Sequence, residues 1–399
     1  MILPRADWRS RPGMAALLAA LGGDAVTRYV GGAVRDTLMQ LPVSDVDLAT
    51  RLQPAEVIAR LQVAGIKAVP TGIAHGTITA VSAGTPVEVT TLRRDVSTDG
   101  RRATVAFTDD WREDAARRDF TINALFAEPE SGTVYDYFGG QDDVLARRVR
   151  FIGDPLTRIA EDHLRILRFF RFHARFGQGV PDAEGLAACA ARANDLMALS
   201  RERIADELLK LLALTDPEPT VRLMLEQCIL RPVLPEIDHA EPLNALIRRE
   251  AAAKIAPDPL RRLASLLPPD PEIAAAVAAR LRLSNKAAKR LVTAAERRPD
   301  DAAQPLALAY QVGREEAADR LLLGSGDPDA ARAVLGWSRP RLALSGGDLI
   351  AMGLKPGPAV ARTLQGIERD WIAGGFSNDR NAVRALARVH VDQALRDSQ

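Results

Sequence analysis

Aromatic residues are scarce in this chain of 399 residues, at 5%. Alanine, leucine and arginine dominate instead, so most of the chain is expected to be helical. Cysteine is scarcer still. Cys189 and Cys228 stand alone in apolar helical text, which excludes a disulfide framework or a cysteine metal module and suits a reduced, cytoplasmic protein. Five histidines show no His-Asp pair or other metal spacing, so an added metal-phosphohydrolase domain is not expected. No apolar run reaches the ~18 residues of a membrane span, and Pro4, Arg5, Asp7 and Arg9 interrupt the N-terminus, so neither a membrane partner nor a signal peptide is expected. Short-period repeats and low-complexity tracts are lacking too. So is charge of one sign: 53 Lys+Arg against 52 Asp+Glu leave +1. That excludes a wholesale nucleic-acid coat but leaves room for a local basic stripe. The length allows two or more domains and a sizeable core, and says nothing of oligomeric state.

The most informative stretch is Tyr29 to Thr50, YVGGAVRDTLMQLPVSDVDLAT. An apolar strand end runs into Gly31-Gly32. A short helical run from Ala33 to Leu41 follows, carrying Arg35 and Asp36. Ser44 to Thr50 reads as a second strand. Side chains two apart on a strand share a face, so Asp45 and Asp47 look one way while Val46 and Leu48 look toward a core. Two like charges that close repel unless a cation lies between them. A hard ion such as Mg2+ binds through one or two carboxylates plus substrate phosphates. The Gly-Gly turn lets a backbone approach phosphate closely, and the following helix start offers free N–H groups. Arg35 adds a charge one turn in. A bare D-x-D is also an ordinary solvated strand face, but the Gly-Gly-Arg helix just upstream favours the phosphate reading. The string resembles the head motif of enzymes that add nucleotides to RNA 3′ ends, the tRNA CCA-adding enzymes and bacterial poly(A) polymerases.

Further motifs follow in order. Gly76 to Val81 and Pro86 to Leu92 form a hairpin signal around Ser82-Ala83-Gly84-Thr85. Glu88 alternates with Val87 and Val89 and so points away from the apolar face; the resemblance makes it the third catalytic acid, against the alternative of an exposed strand Glu. Arg93 to Asp110 reads as a loop. Its Asp99-Gly100-Arg101-Arg102 matches the family's flexible element linked to the switch from C to A. Arg117 to Leu125, RRDFTINAL, reads as the start of an apolar helix. Guanidinium forks pair with phosphate bidentately, and the resemblance assigns Arg118, Asp119 and Asn123 to the nucleotide. Residues 141–175 carry eight arginines against five acids, the local basic stripe that the totals conceal.

Within that stripe, Glu161 to Phe172 reads EDHLRILRFFRF, on a helix starting near Pro155. Asp162 and Arg165 are three apart and so neighbours on a helix. An Asp oxygen accepts from the exocyclic amine of C or A, and an Arg N–H donates to the adjacent ring nitrogen; U and G present the opposite pattern. One pair thus reads both bases without a nucleic-acid template, the role of the matching E-D-x-x-R motif in the family. An ordinary helix-surface ion pair is the alternative. The family's nucleotide-contacting set extends to Arg168 and Arg171, although Arg171 drifts about half a turn from Asp162. Ser200 to Leu212 reads as a helix capped by Ser200 and resembles the last neck motif, a support for the template helix. Pro257 to Pro271 reads as a linker.

The resemblance implies an α+β chain with a polymerase-β-like nucleotidyltransferase head (1–140) on a small sheet. A helical neck (141–215), body (216–335) and tRNA-binding tail (336–399) follow. It implies in-line attack of a tRNA 3′ hydroxyl on CTP or ATP, with Asp45 and Asp47 holding Mg2+. Alternatives are a poly(A) polymerase, an enzyme adding only part of CCA, and a tRNA-binding protein that has lost its chemistry.

Overall fold

The computed structural model describes residues 1–98, 103–324 and 328–397. It divides into two compact units, Met1–Asp238 and His239–Gln399. The first is α+β, as the sequence implies. Its strands are β1 (Thr27–Val30), β2 (Asp47–Thr50), β3 (Lys67–Gly72), β4 (Thr77–Ser82) and β5 (Thr85–Thr91). Then come β6 (Arg93–Thr98), β7 (Ala103–Phe107), β8 (Phe126–Ala127) and β9 (Val134–Tyr135). Seven of them form one sheet in the order β3-β4-β5-β2-β1-β8-β9, and β6-β7 form a separate hairpin.

The centre of the sheet follows from local sequence. Tyr29 and Val30 are buried in β1, and Gly31 then turns the chain with φ +65°, a value that favours glycine. Val30 is therefore the last residue of β1 to pair, opposite Asp47. For the same reason β2 begins at Asp47 and not at Ser44. Asp45 lies in the extended link before it. The expected alternation still holds, with Val46 and Leu48 buried. On the other side β2 runs parallel to β5 and sets Asp47 beside Glu88. Within the segment expected to be a loop, Arg93 to Asp110, Arg93–Thr98 and Ala103–Phe107 pair as antiparallel strands. This pair is separate from the main sheet; Asp99-Gly100-Arg101-Arg102 lie outside the described residues.

The helices of this unit are α1 (Met14–Ala20), α2 (Gly32–Leu38), α3 (Pro54–Val63), α4 (Trp111–Ala116) and α5 (Gly140–Leu145). The rest are α6 (Pro155–Glu161), α7 (Arg165–Phe176), α8 (Ala183–Ala191), α9 (Arg201–Leu212) and α10 (Glu218–Glu226). RRDFTINAL does not start an apolar helix. The Asp119 carboxylate takes the Phe120 N–H at 2.8 Å, and Thr121 N–H donates to the Arg150 carbonyl. Only a short 3₁₀ turn, Thr121–Asn123, forms before β8. The run Glu161–Phe172 is not one helix either. Asp162 is extended (φ −153°, ψ 105°) and separates α6 from α7. Its Oδ1 accepts from Leu164 N–H at 3.2 Å and so starts the second helix.

Helix α7 is two-faced. Ile166, Leu167, Phe169, Phe170, Phe172 and Phe176 are buried. Phe169 stacks on Phe151 with ring centroids 5.5 Å apart, and Phe120 packs 5.2 Å from Phe172. Burying one such side chain stabilises by roughly 1.5–3 kcal/mol. That apolar anchor fixes the opposite face, which carries the arginines. Helix α9 starts one residue after Ser200, whose side chain makes no capping hydrogen bond.

The second unit is helical: α11 (Glu241–Ala253), α12 (Pro259–Leu266), α13 (Pro271–Arg280), α14 (Asn285–Ala295) and α15 (Pro305–Val312). It continues with α16 (Arg314–Leu323), α17 (Pro328–Gly336), α18 (Gly346–Ala351), α19 (Pro358–Ala373) and α20 (Arg380–Arg396). Pro257 to Pro271 is not a linker. Pro259 occupies the first turn of α12, where no N–H is needed, and Asp258 caps it. The buried side chains of Arg261 and Arg262 reach Glu250 at 2.7 and 2.9 Å. Asp319 joins Arg261 to Arg290 at 2.8 and 2.6 Å. Among the described residues no helix is long and apolar enough to cross a membrane.

Candidate active site

A cavity of about 410 Å3 in the first unit gathers the predicted motifs. Gly31 and Gly32 border it where β1 passes into α2. Asp47 enters from β2, Arg118, Asp119 and Asn123 from the segment before β8, and Asp162, Arg165 and Arg168 from the α6–α7 junction. Arg35 also lines it. Segments more than a hundred residues apart thus converge on one space. A Cβ on Gly31 would lie 3.4 Å from the Arg118 guanidinium, so the glycine keeps backbone and arginine close.

Asp45 and Glu88 do not line this cavity. They line an adjoining cleft, and Asp47 lines both. Burial, then Glu88 and Asp45, push the Asp47 carboxyl up to about 6, against the opposing charge of Arg118. Carboxylates facing one another in this way fit a hard divalent cation. Among the described residues no group of three or more His, Cys, Asp or Glu could hold an ion by itself. The donor set therefore suits an ion shared with nucleotide phosphates.

The cationic side chains are ordered by a polar network. Asp119 Oδ2 accepts from Arg168 Nε and Nη2 at 2.9 and 2.6 Å, and Oδ1 accepts from Asn123 Nδ2 at 2.9 Å. Burial alone would raise the Asp119 carboxyl. Arg168 and the hydrogen bonds from Asn123 and Phe120 N–H overcome it and hold the group below the usual range. The Arg35 side chain donates to Asp36 and to the Asn123 side-chain oxygen, which joins α2 to the turn after Asp119. Arg118 is held by Asp114 at 2.9 Å.

Asp162 and Arg165 both reach the cavity although they do not share a helix. Three of the five Arg165 donors are engaged: Nη1 by the Arg158 carbonyl and Glu161, Nη2 by the Arg117 carbonyl. Arg203 of α9, absent from the sequence-based set, lines the cavity and donates to both oxygens of Asp162. The two residues are 41 positions apart, so no local spacing marks the pair. Phe172 and Leu164 line the cavity too; their apolar identity reads as core in sequence. Arg171 is not on the wall of the cavity. It turns to Glu207 at 2.6 Å. The basic stripe is largely paired in this way, with Arg168, Arg171 and Arg175 meeting Asp119, Glu207 and Asp36 from outside it.

Two family models match the chain. Residues 27–150 match the poly A polymerase head domain. Residues 181–241 match the probable RNA and SrmB-binding site of polymerase A. Over most of its length the chain is similar to curated proteins. It is 35% identical over 371 residues to CCA tRNA nucleotidyltransferase 1, mitochondrial, of Mus musculus, covering 89% of this chain and 84% of that protein. It is 34% identical over 366 residues to the CCA-adding enzyme of Limosilactobacillus fermentum, covering 88% and 90%. Among solved structures it is similar to the Bacillus stearothermophilus CCA-adding enzyme in complex with CTP. The TM-score is 0.74 and the identity 26%, over 96% of this chain and 97% of that one.

Proposed function

The chain belongs to the CCA-adding tRNA nucleotidyltransferases, and on that premise we propose how its residues divide the work of adding C, C and A to tRNA 3′ ends. The observation that carries the reading is the convergence of Asp47, the phosphate-type arginines and the Asp162–Arg165 pair around one cavity, with Asp45 and Glu88 in the adjoining cleft that shares Asp47. Such enzymes use divalent cations. Ionised Asp45 and Asp47 would hold Mg2+, with Glu88 as third acid beside Asp47. When bound, two such ions lower the pKa of the attacking hydroxyl and stabilise the departing pyrophosphate.

Gly31 and Gly32 admit the phosphates close to the backbone, and Arg118 supplies the cation that meets them. Asp119 and Asn123 face the ribose while keeping Arg168 and Arg35 in place. Asp162 accepts from the exocyclic amine of C or A. Arg165 has Nε–H and one Nη2–H beyond the three hydrogen bonds described above, and these donate to the ring nitrogen. Because Asp162 is set by Arg203, the base reader is a three-residue unit. Arg171 acts through Glu207, which also lies 3.9 Å from Arg168, and so supports the nucleotide-contacting row from behind.

Residues 1–140 act as the catalytic head, 141–215 as the nucleotide-selecting neck, 216–335 as the body, and 336–399 as a tRNA-binding tail. We place the reaction in the cytoplasm, which suits an exposed free thiol at Cys228. The test is incorporation of labelled CTP and ATP into tRNA lacking its last three nucleotides. Two C followed by one A supports the reading. A long A tail makes the protein a poly(A) polymerase, the activity for which the matching head domain is named.

A further inference from the structure

Helix α7 carries Phe169, Phe170, Phe172 and Phe176 on its buried face. Phe169 and Phe170 pack only 5.5 Å from neighbouring rings, deep in the core. Phe172 is placed differently. It packs on Phe120 and Phe176 at 5.2 and 5.5 Å, and it also reaches the wall of the nucleotide cavity. Arg171, Arg168 and Arg35 lie over its ring, at 4.6, 5.2 and 5.4 Å from the centroid. These distances fall within the ~6 Å over which an aromatic face attracts a cation. Arg168 and Arg171 belong to α7 itself, whereas Arg35 comes from α2. A leucine at this position would fill the core, but only an aromatic ring draws all three guanidinium groups.

Two of these arginines are joined a second time, through polar residues of the cavity. The Arg35 side chain donates to Asn123 Oδ1. Asn123 Nδ2 donates to Asp119 Oδ1 at 2.9 Å, and Asp119 Oδ2 accepts from Arg168. An arginine only donates and a carboxylate only accepts, so the Asn123 amide has one orientation here. Together with the ring contacts these bonds close a circuit that runs from Phe172 through Arg35, Asn123, Asp119 and Arg168 back to Phe172. Phe172 is its one apolar member. We infer that Phe172 is a positioning residue through which the site tells a ribonucleotide from a deoxyribonucleotide. The ring acts through Arg35 and Arg168, which it holds at the two ends of the Asn123–Asp119 pair. The inference rests on the ribose assignment above and adds to it the group that keeps that pair in place.

The test uses full-length protein carrying one, two or three fluorines on the phenylalanine ring at position 172. Fluorine weakens the negative face of the ring while its shape and apolar volume stay nearly the same, so a packing role alone predicts a flat series. CTP, dCTP and UTP are compared as donors to tRNA lacking its last three nucleotides. KM for CTP should rise stepwise to about fivefold at three fluorines, the scale of a cation–π contact, with kcat within about twofold. The preference for CTP over dCTP should shrink by a similar factor, because dCTP lacks the hydroxyl that the circuit is set to meet. Misincorporation of UTP, governed by Asp162 and Arg203, should not change. Phe172→Leu should show the full loss in one step. A flat KM and a flat CTP-to-dCTP ratio along the series would overturn the inference. So would equal losses for CTP and dCTP, or a rise in UTP incorporation, since either marks a general loosening of the site. Melting temperatures identify a fold defect, and the fluorinated proteins decide if Phe172→Leu does not fold. Normal transfer by the unaltered protein with a flat series sinks this inference alone, whereas no transfer by the unaltered protein sinks the enzymatic reading and this inference with it.

Discussion

Arg203 Nη2 lies 3.1 and 2.8 Å from the two carboxylate oxygens of Asp162, and so one guanidinium of α9 sets the orientation of the carboxylate that we propose as the base reader. Asp162 has extended backbone and belongs to neither flanking helix. Nothing in its own segment would fix it as firmly. Arg203→Ala is therefore expected to raise KM for CTP and ATP together by about tenfold, the loss of one charge-assisted contact, with KM for tRNA unchanged. Misincorporation of UTP should rise in the same variant. Arg203→Lys, which keeps the charge without the fork, should recover part of the loss.

Asp47 carries a sign that can be tested by pH. Its carboxyl is raised to about 6, first by burial and then by Glu88 and Asp45. A raised folded-state value favours the protonated form. That contribution to stability is fully present below about pH 4 and is lost as pH rises through about 6. Above that pH the ionised group is a cost, which a bound cation offsets. Asp47→Asn should raise the melting temperature of the metal-free protein at about pH 7.5, by the equivalent of about 1–3 kcal/mol, and should give no gain at about pH 4. Unaltered protein should gain stability from a divalent salt at the higher pH and lose that gain below about pH 6. A thermal-shift series in pH and metal concentration measures both.

Asp119 carries the opposite sign. Its depressed carboxyl contributes stability above the ordinary value near 4, lost as pH falls below it. Asp119→Ala takes the closest acid from the half-buried Arg168 and leaves it Glu207 at 3.9 Å and the more distant charge of Asp162. Breaking such a pair from one side costs about 3 kcal/mol, and denaturant unfolding at about pH 7.5 should show it. Nucleotide KM should rise as well, because Asn123 loses the acceptor that orients it.

The site was legible where its signals were local. G-G-x-V-R-D, D-x-D, RRDFTINAL and E-D-x-x-R each specify a short conformation or a pair of like groups, and all four border Asp47 or the space beside it. What could not be read depends on contacts across the chain. The pattern of EDHLRILRFFRF continues through Asp162 as one helix; the break at Asp162 comes with Arg203, 41 residues away. Arg171 enters the nucleotide-contacting set through the resemblance, against a drift of about half a turn from Asp162; its partner in the fold is Glu207, which its own segment does not contain. The β6-β7 hairpin reads as a loop because it lacks the apolar alternation that burial in the main sheet would impose. In the second unit Arg261 and Arg262 read as a solvated linker. Their burial depends on Glu250 and Asp319, which a local reading of 257–271 does not contain.

The central claim is that Asp45 and Asp47 carry nucleotide transfer from a cavity that binds CTP and ATP through other residues. Its most direct test is labelled-nucleotide incorporation into tRNA lacking CCA by Asp45→Ala and Asp47→Ala, run beside equilibrium CTP binding without metal. The account predicts loss of incorporation by at least about a thousandfold, the scale of a missing catalytic group, with metal-free CTP binding within about threefold of the unaltered protein. Incorporation within about tenfold of the unaltered protein in either variant would contradict it.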